Sequence, residues 1–312
     1  MGTPLQVLIT GGAGFIGSHL VDRLVAEGHR VRVLDDLSTG SADNLPSEAE
    51  LLCGSVVDPA AVRTAVAGAH WVFHHAAARA VLQSVERPLQ TDLVNTHGTL
   101  TVLDCARTAG VARVVFASSS SIYGGADRLP TTEDAPSRPR SPYAVSKLAG
   151  ESYCRVFTEV YGLATVSLRY FNVYGPRQRP DSAYAAVIPL FCDVARRGHA
   201  PTVHGDGLQS RDFTFVSDVV DANIAAASAP AERCGGKVYN VSYGEGHSLL
   251  RLIELLGQAT GNDLRPVTAE PRPGDVRHSR ADTSAAQRDL AYQPKVPLAE
   301  GLRRMLEWLS GR

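Results

Sequence analysis

Thr10-Gly11-Gly12-Ala13-Gly14-Phe15-Ile16-Gly17 lies between an apolar run, Leu5 to Thr10, and a stretch in which Phe15, Leu20, Leu24 and Val25 recur at helical spacing as far as Gly28. The order is strand, tight glycine turn, helix. Working outward, Val31 to Leu34 reads as a second strand. Leu51 to Cys53, Trp71 to His74, Val114 to Ala117 and Thr165 to Leu168 read as further strands, with helical segments between them. Strands alternating with helices predict an α/β fold with a doubly wound parallel sheet covered on both faces. Beyond about Arg169 the rhythm changes. Pro and Gly punctuate the chain around 174–180, 200–212 and 271–275, which predicts a smaller, more irregular C-terminal part. The expected division is residues 1–170 with a return segment near 214–242, and residues 171–312 mainly for substrate, with the active site in the cleft between them.

The glycines at 11, 14 and 17 let the chain turn tightly and bring a pyrophosphate against backbone N–H groups at a helix N-terminus. Phe15 and Ile16 open that helix and share the contact. By itself the pattern is weak. Its place between a strand and a helix makes it a dinucleotide signal. Asp35, eighteen residues beyond Gly17, stands with Asp36 at the end of the second strand. A carboxylate there accepts hydrogen bonds from an adenosine ribose and repels a 2′-phosphate, so the expected cofactor is NAD.

Tyr143 and Lys147 are four residues apart in a helical segment that begins near Pro142, so their side chains share a face. Tyrosine, with a free pKa of about 10, is a poor base, but a neighbouring ammonium and a cationic nicotinamide both favour the phenolate. Upstream, Ser118-Ser119-Ser120-Ser121 follows the strand 114–117. Ligands of parallel sheets bind at the carboxyl ends of strands, so these hydroxyls are placed to meet a substrate hydroxyl.

With those motifs in hand, the chain resembles an extended short-chain dehydrogenase/reductase of the nucleotide-sugar epimerase and dehydratase group. TGGAGFIG (10–17), SSSSIYG (118–124), SPYAVSK (141–147), RYFNVYGPRQ (169–178) and GDGLQSRDFTFVSDVV (205–220) carry the resemblance. It implies a Rossmann domain with a smaller substrate domain and a catalytic triad of Ser119, Tyr143 and Lys147. It also implies NAD contacts from Asp35, Asn95 and the Ala76-Ala77 turn, with NAD retained through the cycle. Where similar enzymes often read GDIRD, this chain reads Gly54-Ser55-Val56-Val57-Asp58, which leaves adenine recognition to the Ser55 hydroxyl and the Val56 backbone.

The same resemblance assigns Asn172, Arg211 and Arg272 to the nucleotide phosphates and Asp275 to the ribose. Arginine suits phosphate because its planar fork bonds oxygens in pairs. Ser120 and Ser121 stand where dehydratases of the group carry an acid pair, which favours 4-epimerisation of a UDP-hexose over elimination. The stretch 182–189, including Val187, is similar to that of UDP-hexose and UDP-N-acetylhexosamine epimerases. A small Ser279, where epimerases restricted to simple hexoses often have tyrosine, implies room for an N-acetyl group. The rival expectations are a dehydratase or decarboxylase on the same scaffold, which changes substrate mass, and a non-catalytic NAD-binding regulator. Regulators of that kind typically lose the Tyr/Lys pair.

Bulk properties bound the remaining classes. Lys plus Arg number 31 against 32 Asp plus Glu, so no general polyanion surface for nucleic acid is expected. No apolar run reaches the roughly 18 residues of a membrane span, and residues 1–10 lack the pattern of a signal peptide, so a cytoplasmic protein is expected. The five cysteines are widely spaced without CxxC pairs, which predicts reduced thiols and no metal centre. Helical segments 93–109 and 143–161 resemble the group's four-helix dimer interface, so a homodimer is expected.

Overall fold

The structure is a computed structural model that describes residues 3–79, 81–178, 186–271 and 276–311. Its strands are β1 (Gln6–Thr10), β2 (Arg30–Asp35), β3 (Glu50–Cys53), β4 (Trp71–His74), β5 (Arg113–Ser119), β6 (Thr165–Tyr170), β7 (Val173–Tyr174), β8 (Thr202–His204), β9 (Ser210–Asp212), β10 (Thr214–Phe215), β11 (Lys237–Val241), β12 (Gly246–Ser248) and β13 (Val267–Ala269). The α-helices are α1 (Phe15–Ala26), α2 (Pro59–Val66), α3 (Val81–Glu86), α4 (Pro88–Asp92), α5 (Gly98–Thr108), α6 (Pro142–Tyr161), α7 (Val187–Arg196), α8 (Val216–Ser228), α9 (Ala231–Cys234), α10 (Leu249–Thr260), α11 (Ser284–Leu290) and α12 (Leu298–Ser310).

Seven strands form one sheet in the order β11-β6-β5-β4-β1-β2-β3, parallel at every pairing. A parallel strand buried on both faces reads as a continuous apolar run. Accordingly Val7, Leu8 and Ile9 of β1 are fully buried. On one face α1, α8 and α11 contribute Leu20, Leu24, Val219, Ala226 and Leu290 to the core. On the other, α2, α5 and α6 contribute Val62, Ala65, Val102, Leu103 and Phe157. The strand order reverses between β1 and β4, which opens a crevice above their carboxyl ends where ligands of such sheets bind.

A second core gathers Phe191, Leu252, Leu256, Leu302 and Met305 of α7, α10 and α12 around Tyr174, Phe213 and Phe215. The small pairs β7–β10, β9–β12 and β8–β13 frame it. The chain crosses to this unit after β6 and returns to the sheet through α8 and β11, so the crevice is walled on one side by turns of the sheet and on the other by segments of the second unit.

The six N-terminal strand readings match β1 to β6. The segment 93–109 is helical as expected, with a π-helical stretch at Leu93–His97 that runs directly into α5. The close packing of Gly98 on Val56 marks the junction: a β-carbon on Gly98 would lie 2.8 Å from a Val56 methyl. All five cysteines are free, and only Cys53 is exposed. Among the described residues no His, Cys, Asp and Glu cluster could hold a metal, and no helix is long and apolar enough to cross a membrane.

Candidate active site

The crevice is a cleft of about 1930 Å³. A single small-molecule site occupies about 300–1,000 Å³, so there is room for two ligands. One end is built by the glycine turn. Gly11 has φ +71°, and a β-carbon there would lie 2.6 Å from the Ala76 backbone nitrogen. A side chain on Gly17 would strike the Gly11 carbonyl. The first turn of α1 is N-capped by Gly14 with no side-chain acceptor, so its N–H groups face the cleft unclaimed by a capping side chain. Gly11, Gly14, Phe15, Ile16 and Gly17 all line this wall, opposite Ala76 and Ala77. A cradle that any β-carbon would fill, beside uncapped N–H groups, fits the pyrophosphate of a dinucleotide.

Asp35 ends β2 and lines the same wall. Its two oxygens accept the Ala13 and Leu37 backbone N–H groups, each at 2.9 Å, so the carboxylate holds the glycine turn closed while its remaining lone pairs are left for a ribose. Burial pushes its pKa above the ordinary carboxylate value, against the pull of those two N–H groups. Asp36, more exposed, also lines the cleft and accepts from the Ser38 N–H at 3.0 Å. Ser55 and Val56 line the cleft beside them, and the Ser55 hydroxyl accepts the Val57 N–H at 3.3 Å.

Asn95 departs from its expected place. It is buried and does not line the cleft. Its Oδ1 accepts the Ala78 N–H at 2.7 Å, and its Nδ2 donates to the Ala78 carbonyl at 3.1 Å and to Ser146 Oγ at 3.0 Å. These bonds brace the turn after β4 against α6.

Ser119 ends β5, and its hydroxyl accepts the Ser121 N–H at 3.1 Å and is hydrogen-bonded to Tyr143. Ser141 caps α6, accepting from the Ala144 N–H, and so sets the helix phase that turns Tyr143 and Lys147 toward β5. Lys147 Nζ donates to the Ala117 carbonyl at 2.7 Å and lies 5.9 Å from the Tyr143 ring centre. Burial pushes the Lys147 pKa down to about 8. The Tyr143 phenol is pushed above its usual range by burial, opposed by the Ser119 hydrogen bond and then by the Arg79 cation. Lys147, hydrogen-bonded to the Ala117 carbonyl, keeps its charge and further donors beside the phenol. Arg79, overlooked in the sequence, is a second cation that favours the phenolate.

Ser120 and Ser121 line the cleft past Ser119, and Ser121 Oγ is buried with no protein partner. Asn172 and Arg211 line the far wall. Asn172 sits at φ +33° and donates through Nδ2 to the Asp212 carbonyl at 3.2 Å, while Arg211 donates to the Ser210 carbonyl at 2.9 Å. Ser279 also lines this wall, held by its N–H to the Ser210 carbonyl at 3.1 Å. Arg272 and Asp275 lie outside the described residues. Val187 does not line the cleft. At the start of α7 it packs on the second core, and Ala186 and Leu190 face the cleft in its stead.

Three further lining residues were missed. Gln178 is buried, with Oε1 unpartnered and Nε2 on the Val173 carbonyl. It ends the RYFNVYGPRQ string, which was the available signal. His75 and Tyr170 stack at 11° and both bond Asn223 Oδ1, at 3.2 and 3.0 Å. Nothing local in the sequence pairs residues this far apart.

The arrangement can bind a dinucleotide along the glycine turn, take a proton from a hydroxyl at Tyr143, and hold a second ligand against Asn172 and Arg211. The model of the NAD-dependent epimerase/dehydratase family matches residues 7–242. A UDP-glucose 4-epimerase of Mycolicibacterium smegmatis is 41% identical over 99% of both chains. The solved UDP-glucose 4-epimerase of Thermotoga maritima, determined with UDP-glucose, superposes with a TM-score of 0.94 at 38% identity, over 98% of this chain and 99% of that one. A UDP-N-acetylglucosamine 4-epimerase of Methanobrevibacter ruminantium, in complex with UDP-N-acetylmuramic acid, gives 0.94 at 36% identity over 99% of both. On its sequence, its sheet and its cleft, this chain belongs to the NAD-dependent epimerase/dehydratase family.

Proposed function

We propose that the protein is a UDP-hexose 4-epimerase that also accepts UDP-N-acetylhexosamines. The observation that carries the reading is the Ser119–Tyr143 hydrogen bond at the strand ends of a dinucleotide cleft, with hydroxyls at 120 and 121 in the place of an acid pair. The glycine turn and Asp35 would hold NAD, which would supply reversible hydride acceptance at C4 of the sugar. Tyr143 takes the proton from the 4-hydroxyl, and Ser119 orients that hydroxyl. Lys147, anchored on the Ala117 carbonyl, holds the cofactor ribose. Arg79 offsets part of the burial that opposes the Tyr143 phenolate. Between the two transfers the 4-ketose turns over about its diphosphate, held by Asn172 and Arg211 with Arg272, while Asp275 serves the nucleotide ribose.

Without a strong acid beside Ser119 there is no group to expel water from the ketose, so substrate mass is conserved. The half-buried Ser279 leaves space where a large side chain would close the wall. The exposed apolar residues of α6 and the helices before it support a homodimer.

The test is incubation with UDP-glucose, UDP-galactose and their N-acetylated counterparts, with products read by proton NMR. Interconversion at C4 of both pairs is expected, and Tyr143→Phe should lower the rate by about 10²–10⁴-fold with NAD still bound. A product lighter by water or carbon dioxide would replace the reading with dehydration or decarboxylation. No turnover of any of these sugars would remove it.

A further inference from the structure

Behind the triad runs a chain of buried polar groups that the proposed reaction does not use. Ser118, next to Ser119, donates its hydroxyl to Glu151 Oε1 at 2.5 Å. Glu151 lies on α6 one turn beyond Lys147 and two beyond Tyr143. It is paired in fork geometry with Arg169 of β6, at 2.9 Å from Nε and 2.8 Å from Nη2. Arg169 Nη1 donates to Tyr123 Oη at 2.7 Å, and Tyr123 donates in turn to Asn240 Oδ1 at 2.7 Å. Asn240 of β11 passes the chain on, with Nδ2 on the Thr131 carbonyl at 2.9 Å and on the Asp282 carbonyl at 3.2 Å. Thr131 is itself joined to the strand of residues around Ser279, giving its N–H to the Arg280 carbonyl and accepting the Asp282 N–H, each at 2.8 Å.

Every side chain from Ser118 to Asn240 is nearly or wholly buried, and each link is satisfied. A desolvated ion pair contributes little net stability against apolar residues of the same size, because desolvation offsets its attraction. What such a pair supplies is direction: a fork of two bonds fixes the angle between α6 and β6 more narrowly than apolar packing does. The chain also joins two segments that line the cleft. At one end are the catalytic strand and helix, and at the other the segment that carries Ser279 along the substrate wall.

We propose that Glu151, Arg169, Tyr123 and Asn240 are positioning residues that couple the seating of a nucleoside diphosphate on the Ser279 wall to the alignment of Ser119 and Tyr143. The coupling rests on the epimerase reading for its catalytic consequence, but its physical content is separable from it. Misplacement of a reacting group by about 1 Å costs on the order of 10²-fold in rate, so a loosened chain should lower kcat without touching the groups that bind nucleotide. A contiguous network is by itself only a candidate path, and a measured coupling is what decides.

The test uses the NAD-loaded full chain with UDP as the probe. In the wild type, UDP is expected to slow backbone hydrogen exchange both at 276–283 and at 119–123. Tyr123→Phe keeps the ring and removes the hydroxyl link between Arg169 and Asn240, leaving a parallel link through Glu133, whose carbonyl accepts Arg169 Nη1 at 3.0 Å and whose Oε1 accepts the Asn240 N–H at 2.8 Å. It should retain the first protection, weaken the second, and lower kcat about tenfold with KM within about twofold. Glu151→Gln breaks the chain at its other end and should show the same split, so a folding failure in one variant leaves the other to decide. The idea is overturned if UDP leaves 119–123 unchanged in the wild type, or if both variants keep wild-type kcat and protection. It is equally overturned if protection falls evenly over the whole chain. Should the wild type convert no UDP-hexose, the epimerase reading fails, and the exchange measurement still decides the coupling.

Discussion

At the scale of single residues, the cleft is set by which polar groups are already committed. Asn95 spends both Nδ2 hydrogens on Ala78 and Ser146 and one Oδ1 lone pair on the Ala78 N–H. Ser121 Oγ and Gln178 Oε1 are unspent, and so are the groups a substrate hydroxyl or amide would meet. Arg79 acts at a distance, through charge. Since it lowers the Tyr143 pKa, Arg79→Gln should move the rising limb of the pH profile of kcat/KM to higher pH. An unmoved limb would show that its charge does not reach the phenol in the working enzyme. Ser279 tests the width of the pocket. Ser279→Tyr should reduce kcat/KM for UDP-N-acetylglucosamine by about 10-fold or more, a pocket effect of the usual 1–3 kcal/mol size, while UDP-galactose turnover stays within about threefold. Equal losses on both sugars would remove the argument that Ser279 makes room for the acetyl group.

At the scale of elements, the glycine turn and α6 do different work. The turn brings two backbones together at Gly11 and Ala76, and the obstacle to any side chain is backbone on both sides. Gly11→Ala meets a left-handed conformation costing about 1–2 kcal/mol and a clash that no rotamer relieves. The expected outcome is a chain that folds with a lowered Tm and loses NAD on desalting, read from absorbance and extracted cofactor. Retention of NAD at the wild-type ratio would contradict the cradle.

Helix α6 uses one face for Tyr143, Lys147 and Glu151 and exposes Val145, Val156 and Val160 on another, with Tyr161 exposed at its C-terminal end. Leu89 and Leu93 are exposed on the neighbouring segment. Burying such a side chain contributes about 1.5–3 kcal/mol, and a carboxylate in its place would have to be desolvated. Sedimentation should therefore give a dimer for the wild type and a shift toward monomer for Val160→Glu. A monomeric wild type at micromolar concentration would exclude the homodimer.

At the scale of the molecule, buried histidines tie fold to pH. His74, between Thr10 and Thr99, is held down to about 3, and His75 to about 4, in both cases mainly by burial. Each folded value lies below the free value, so between them the unfolded chain binds the extra proton. Stability should then fall as pH drops from about 6.5 toward 4, by on the order of 3 kcal/mol for a shift like that of His75. Denaturant melts across that range check the slope. His75→Gln should flatten it, and an unchanged slope would place the acid sensitivity elsewhere.

Much of the architecture was legible because its signals are local. Continuous apolar runs mark buried parallel strands, and a glycine turn between strand and helix marks the crevice end of the sheet whatever lies elsewhere. The same holds for the spacing of Tyr143 and Lys147, since four residues of helix put two side chains on one face. The family followed from these strings, and with it NAD.

What only the tertiary structure decided are the properties that depend on what packs against a residue. The commitment of Lys147 to the Ala117 carbonyl, the upward push on Tyr143, the bracing role of Asn95 and the turn of Val187 into the second core all follow from burial and direction. So does the line from Ser118 to Asn240, whose members lie far apart in the chain. Period and spacing specify which face of an element a residue occupies. They carry no information about the partner that face meets, and it is the partner that sets a pKa, spends a hydrogen bond or leaves one open for a ligand.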